Sequence, residues 1–382
     1  MIAIESKLPD VGMSIFSVMT RLAEEHDAIN LSQGFPNFDP PARLIELVGE
    51  HLAGGDNQYA PMPGVPALRE AIAAKLARHY GATVDPVTEV TVTPGATQAI
   101  FCAVQAVVGR GDEVIVFDPA YDSYEPAVRL AGGTVRHVPL MPPRFGIDWD
   151  RLDTALNERT RLVIVNSPHN PTGALLDSED LDRLAGRLRD RNCVLLSDEV
   201  YEHIVFDDVR HTSVAAHPEL ADRAFVVSSF GKTYHATGWK VGYCTAPAAL
   251  TEELRRVHQF VSFATVTPIQ HALARYMVEA PAHDLELPAF YQAKRDEFCE
   301  LLGATAFTLE PTRSTYFQLA DYGAISELDD VEFARWLTTH HGVATIPISV
   351  FCEAPADLKL VRFCFAKSSA TLAAAAARLA EL

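Results

Sequence analysis

Residues 228–242 read SSFGKTYHATGWKVG, and Gly231-Lys232-Thr233 within them are the last three letters of a phosphate-binding loop. Such a loop also needs a glycine five residues before its Gly-Lys-Thr, so that successive backbone N–H groups can wrap a phosphate. That position holds Val226, inside the apolar run AFVVSS, so a nucleotide site is not expected and Lys232 needs another use. Other residues able to do chemistry stand at comparable places, each just after a β-branched, apolar run. They are Gly95, Ala96 and Thr97 in PGATQ, Tyr121 in FDPAYDSY, Asn170 in NSPHNPTG, Asp198 and Tyr201 in SDEVYEH, and Ser229, Lys232 and Lys240. In a parallel α/β sheet, ligands bind beyond the carboxyl ends of the strands. One crevice would then hold an acid, an amine, a phenol, an amide and an anion-binding turn.

That set meets the needs of pyridoxal phosphate, which acidifies the α-carbon of an amino acid by drawing electrons into a protonated pyridine ring. A carboxylate must face the ring nitrogen. Asp198, at the end of VLLS, fits, with a helix N-cap as its alternative reading. A lysine must bond to the cofactor's aldehyde and later carry a proton, which calls for a depressed pKa. Lys232 lies in an apolar, aromatic stretch suited to this, the alternative being a surface lysine that snorkels. Asn170 and Tyr201 can donate to the ring's phenolate oxygen, although Asn-Pro-Thr-Gly alone is an ordinary turn sequence. A helix opening at Ala96 and Thr97 offers backbone N–H groups to the phosphate, and Ser229 and Lys240 add a hydroxyl and a charge. Arg362 lies mid-strand in LVRFCF with no acid beside it. It is read either as half of a structural ion pair or, the reading favoured here, as a bidentate clamp for an incoming carboxylate.

The elements that must position these residues follow from the hydrophobic pattern. Between about 85 and 250, the runs EVTVT, EVIVFD, RLVIVN, CVLLSD and AFVVSS alternate with helical stretches such as SEDLDRLAGRLRDR, which opens near Ser178. Apolar strands separated by helices predict an α/β fold with a mostly parallel sheet. From about 280 the pattern changes to α+β: FYQAKRDEFCELLG and DVEFARWLTTHHG read as helices, TYFQLADY and KLVRFCFAK as strands. The expected division is an N-terminal arm at 1–45 that joins the small domain, a large cofactor-binding domain at 46–279, and a C-terminal small domain at 280–382.

Composition narrows the partners. A net charge of −18 speaks against nucleic acid, which demands a basic footprint. No apolar run reaches about 18 residues, so no membrane span is expected. The N-terminus lacks a basic start followed by an apolar core, and the six cysteines form no C-x-x-C pair; both predict reduced thiols in the cytoplasm. None of the fourteen histidines sits in H-E-x-x-H or a similar ligand spacing, so no metal is expected.

In order and spacing, Asn170-Pro171-Thr172-Gly173, Asp198-x-x-Tyr201 and Ser229-x-x-Lys232 with Lys240 resemble the cofactor motifs of the fold-type I, class I/II aminotransferases. INLSQGFPNFDPP, NQYAPMPG, FDPAYDSY and VRFCFAK extend the likeness over nearly the whole chain, toward the methionine aminotransferase and kynurenine aminotransferase/glutamine transaminase K branch. The resemblance implies a ping-pong transfer of an amino group from an amino acid to a 2-oxo acid. It also implies that Tyr121 stacks on the pyridine and that Gly34 lies in a strand covering the substrate. Arg362 would grip the α-carboxylate, and Tyr59 would reach a phosphate in the neighbouring subunit of a homodimer with shared sites. Two positions depart from the family pattern: Lys240, where many relatives have arginine, and Gly231, where many have serine, a change expected to matter little. A cysteine-conjugate β-lyase or kynurenine aminotransferase activity on the same site is the alternative. A cofactor-sensing domain of a transcription regulator would need a basic DNA-binding domain, for which the chain has neither length nor charge. Phe16, Phe35 and Phe263 are expected near the substrate side chain, with no arginine assignable by motif to a distal carboxylate. Methionine and aromatic amino acids are therefore expected to be preferred over aspartate.

Overall fold

The structure is a computed structural model that describes residues 2, 4–354 and 357–382; residues 1, 3, 355 and 356 of the expected terminal domains lie outside it. A seven-stranded sheet holds, in spatial order, Val90–Thr93, Gly242–Thr245, Ala224–Ser229, Val194–Asp198, Thr160–Asn166, Glu113–Asp118 and Thr134–Pro139. Gly242–Thr245 runs antiparallel to both its neighbours, and every other pairing is parallel. The sequence dictates this burial. Every residue of Glu113–Asp118 and Val194–Asp198 is buried, as a strand covered on both faces requires. Alternate side chains divide between two cores. Val114, Val116, Ile164 and Leu196 pack under the helix Ala96–Val107, while Ile115, Val163, Val165 and Leu195 pack under Ser178–Leu188. That second helix opens with a reciprocal capping box between Asp177 and Asp180.

Two of the seven strands were not expected. Thr134–Pro139 is an edge strand that alternates between exposed and half-buried over its first four residues and buries only Val138, so its sequence TVRHVP has no apolar run. Gly242–Thr245 is only four residues long and follows closely on the Lys232 loop.

The C-terminal part builds a second layer. An antiparallel sheet of Ile346–Pro347, Leu360–Cys364 and Phe317–Asp321 packs with the helices His283–Leu302, Asp330–His341 and Ser369–Leu379 around Phe298, Phe333, Phe363 and Leu372. Ile29–Asn30 pairs in parallel with Val343–Ala344, and Leu31 enters the same core. Tyr201, Ile204 and Phe206 also join it, so the chain leaving the central strand Val194–Asp198 runs directly into this layer. Among the described residues no helix is long and apolar enough to cross a membrane.

Candidate active site

The strand ends meet at a cavity of about 220 Å³. Register puts the chemistry level: Asn166 lies opposite Asp198, and both Thr93 and Ser229 lie opposite Gly242. A Cβ on Gly242 would sit 2.7 Å from Ser228 O and 2.8 Å from Ala96 N, so only glycine lets the helix Ala96–Val107 begin directly against the sheet. Gly95 precedes that helix at φ 78°, and Lys240 Nζ would lie 3.3 Å from a Cβ placed there. An ammonium thus stands against the positive end of a helix, beside Ser229. Lys240 is exposed, so a phosphate entering here would meet both its ammonium and the helix N-terminus.

Asp198 is buried. Its Oδ2 accepts from Tyr124 OH at 2.7 Å and its Oδ1 from the Val200 N–H at 3.3 Å. Burial pushes its pKa up to about 6, against the opposing pull of Tyr124, the Val200 N–H and the positive Lys232. The residues after Asp198 form a turn and not a helix, so the N-cap reading fails. Tyr124 and Asn166 carried no signal in the sequence, yet both fix this corner. Asn166 Nδ2 donates to Asp198 O at 2.8 Å, and its Oδ1 accepts from the Asn170 N–H at 2.8 Å. Tyr201 presents its ring edge-on to Tyr316 and Phe317, with centroids 5.1 and 5.7 Å away.

Lys232 sits on the short helix Phe230–Thr233 and points into the crevice. Its Nζ donates to Gly34 O at 3.0 Å and to Tyr316 OH at 2.8 Å, and Tyr316 OH donates in turn to Gly34 O at 2.6 Å. No carboxylate pairs with it among the described residues, and burial lowers its pKa to about 8, with the charges of Arg362 and Lys240 acting in the same sense. Tyr316, a further residue that the sequence did not reveal, fixes the amine. A Cβ at Gly231 would come 2.9 Å from Thr237 Cα and 3.2 Å from Ala236 O. In this backbone the glycine before the lysine is therefore required, contrary to the expectation that it matters little.

Arg362 is completely buried in the middle strand of the small sheet. Nη1 donates to Asn170 Oδ1 and Nη2 to Ser32 O, both at 2.8 Å, while Nε has no partner. Phe317 stacks 3.9 Å from the guanidinium carbon, and Phe16 lies 5.3 Å away. Both partners are neutral oxygens, and among the described residues no carboxylate ion-pairs with it, although the charge of Asp122 reaches it. A buried guanidinium with spare donor capacity is able to receive a carboxylate.

Gly34, Phe16, Ala96, Thr97 and Tyr121 line the same cavity. Tyr59, Phe35 and Phe263 do not, which corrects the expectation that both of these phenylalanines border the pocket of this chain. Phe35 is half exposed beneath the Lys367 amine, 5.0 Å from its ring. Tyr59 is 88% exposed and meets Phe263 edge-on at 5.7 Å, on loops leading away from the strand ends.

The family model for aminotransferase class I and II matches residues 26–379. The chain belongs to the class I and II aminotransferases. This aminotransferase is 53% identical over 378 residues to the methionine aminotransferase of Escherichia coli (strain K12), a match covering 99% of this chain and 98% of that protein. A solved Escherichia coli structure described as a methionine aminotransferase aligns over the whole of both chains with a TM-score of 0.98. A probable N-succinyldiaminopimelate aminotransferase of Mycobacterium tuberculosis is 40% identical over 388 residues, covering 99% and 98%. Kynurenine–oxoglutarate transaminase 1 of Rattus norvegicus is 33% identical over 407 residues, covering 98% and 96%. The aminotransferase is pyridoxal-phosphate-dependent, as its family is. The residues present fit that cofactor: an anion corner at Gly95 and Lys240, a buried acid, and a part-buried amine with a depressed pKa.

Proposed function

We propose that this aminotransferase moves the amino group of methionine and other neutral or aromatic L-amino acids to a 2-oxo acid in two successive half-reactions. One observation carries the reading. Among the described residues the cations lining the cavity are Lys232, Lys240 and Arg362, and each already has a use, so none of these is left for a distal carboxylate beside Phe16, Ile100 and Phe317. The likeness to the Escherichia coli methionine aminotransferase supports the same choice. Bound pyridoxal phosphate supplies the electron sink that makes the substrate α-carbon acidic. Lys240, Ser229 and the N–H groups at Ala96 and Thr97 would hold its phosphate. Tyr121 would cover its ring, Asp198 face the ring nitrogen, and Asn170 and Tyr201 hold the phenolate oxygen. Arg362 takes the substrate α-carboxylate under Gly34. Lys232 Nζ would be the cofactor's covalent anchor and would serve as the base at the α-carbon, a task suited by a pKa of about 8. The test is kcat/KM for methionine and aspartate with one common 2-oxo acid. Methionine should lead by at least roughly tenfold, because a distal carboxylate would be desolvated without a partner; aspartate matching it would overturn the neutral pocket.

The same reading includes a cytoplasmic homodimer with shared sites, supported by six free thiols and by the exposed Tyr59 and Phe263 pair. It also includes the division into 1–45, 46–279 and 280–382, which the pairing of Ile29–Asn30 with Val343–Ala344 favours.

A further inference from the structure

Outside the cavity, three separate segments bring ligand-type side chains together. His79 stands near the end of the helix Pro66–Tyr80, His203 in the turn just after Tyr201, and Asp284 in the first turn of His283–Leu302. One ligand atom from each lies within 4.8 Å of the others. His203 and Asp284 are 6% and 5% exposed, and His203 Nε2 and Asp284 Oδ1 have no hydrogen-bond partner. Native interiors rarely leave such atoms unpaired, and two in one place call for a common guest. The rest of the cluster explains why they are free. Arg78 Nη2 at 2.9 Å and His79 Nε2 at 2.8 Å both engage Asp284 Oδ2, leaving Oδ1 unused.

We propose that His79, His203 and Asp284 bind one zinc ion, with a fourth position open to water. Two imidazole nitrogens and one carboxylate oxygen are a donor set that zinc takes readily. Tetrahedral bonds of about 2.0–2.2 Å put ligand atoms roughly 3.4 Å apart, so side-chain rotation of about 1 Å closes the site. His79 exchanges its hydrogen bond to Asp284 for the metal bond, and Arg78 keeps Oδ2. Lys75 and Arg78 bring positive charge nearby, and Glu202, with Oε2 3.8 Å from His203 Nε2, answers it. Two other clusters, His51 with Asp56 and His271, and Glu125 with His137 and Glu353, are part-exposed. The ion would tie the helices Pro66–Tyr80 and His283–Leu302 to the turn that carries Tyr201. No sequence spacing announces it, because each ligand comes from a different segment.

The test uses the holoenzyme, stripped with EDTA, given zinc, and passed through gel filtration before metal analysis; cobalt substitution reports the ligand geometry. Wild type should retain one zinc per chain and, with cobalt, show the visible bands of a tetrahedral nitrogen–oxygen site. His203→Gln and Asp284→Asn should bind zinc at least tenfold more weakly while keeping their circular dichroism and methionine transamination. If Asp284→Asn does not fold, His203→Gln decides alone. Wild type that retains no zinc, or a folded variant that binds it as wild type does, would overturn the proposal.

Discussion

Two properties of Lys232 act in the same sense: it is largely withdrawn from solvent, and its partners, Gly34 O and Tyr316 OH, are both neutral. Its pKa in the folded, cofactor-free protein is about 8, against 10.5 when exposed. Below pH 8 both states are protonated and the folded state bears the whole cost of the buried charge, about 3 kcal/mol. Between pH 8 and 10.5 the folded state sheds its proton while the unfolded chain keeps one, so stability rises with pH. Cofactor-free Lys232→Met should therefore be more stable than wild type at pH 7, with the gap closing towards pH 10.5; urea denaturation at several pH values measures it. A variant less stable than wild type at pH 7 would rule out this account. In the holoenzyme, borohydride reduction and peptide mapping should place the pyridoxyl label on Lys232, and a label on Lys240 would refute the assignment. Lys232, Asp198, Asn170 and Arg362 were legible in the sequence because each is a reactive type tied to a strand or its end. Tyr124, Asn166 and Tyr316 were not, because their worth lies in partners from other segments; Tyr316 meets Gly34 across 282 positions.

The elements that carry these residues leave little slack. Gly231 lets the helix Phe230–Thr233 lie against the Ala236–Thr237 backbone, and backbone atoms cannot rotate out of the way of a new Cβ. Gly231→Ser should cost about 1–3 kcal/mol, the usual toll of overpacking, and displace Lys232. Gly238, in the same loop, has nothing within 4 Å of its Cβ position, so Gly238→Ser should change stability by no more than about 0.5 kcal/mol. Equal effects in chemical denaturation would show that the close approach at Gly231 is not what matters. Runs such as VLLSD and EVIVFD announced their strands because both faces are covered. Thr134–Pro139, open on one edge, and the two-residue Ile29–Asn30, which exists only by pairing with Val343–Ala344, gave no comparable pattern.

For the whole molecule, the question is what covers the aromatic surface around Tyr59. Tyr59 and Phe260 are 88% and 86% exposed, and Phe263, Val261 and Val266 beside them are about half exposed. A cluster of large apolar side chains left open to water marks an interaction surface. Tyr59 does not line the cavity of its own chain, so if it serves a phosphate, that phosphate belongs to a second copy. A two-fold dimer would place each Tyr59 in the partner's site, and the two sites would then fail or work together. Subunits carrying Tyr59→Ala and subunits carrying Lys232→Ala should each be nearly inactive alone. In a hybrid, one site pairs the intact Lys232 of the first with the intact Tyr59 of the second, while the other site lacks both. Random reassortment makes half of the dimers hybrids with one working site each, so mixing should restore roughly a quarter of wild-type activity. Mass spectrometry of differently tagged subunits verifies that exchange has occurred. Activity that stays at the sum of the two parents, with exchange verified, would show that each chain completes its own site and that the exposed aromatic surface serves another purpose.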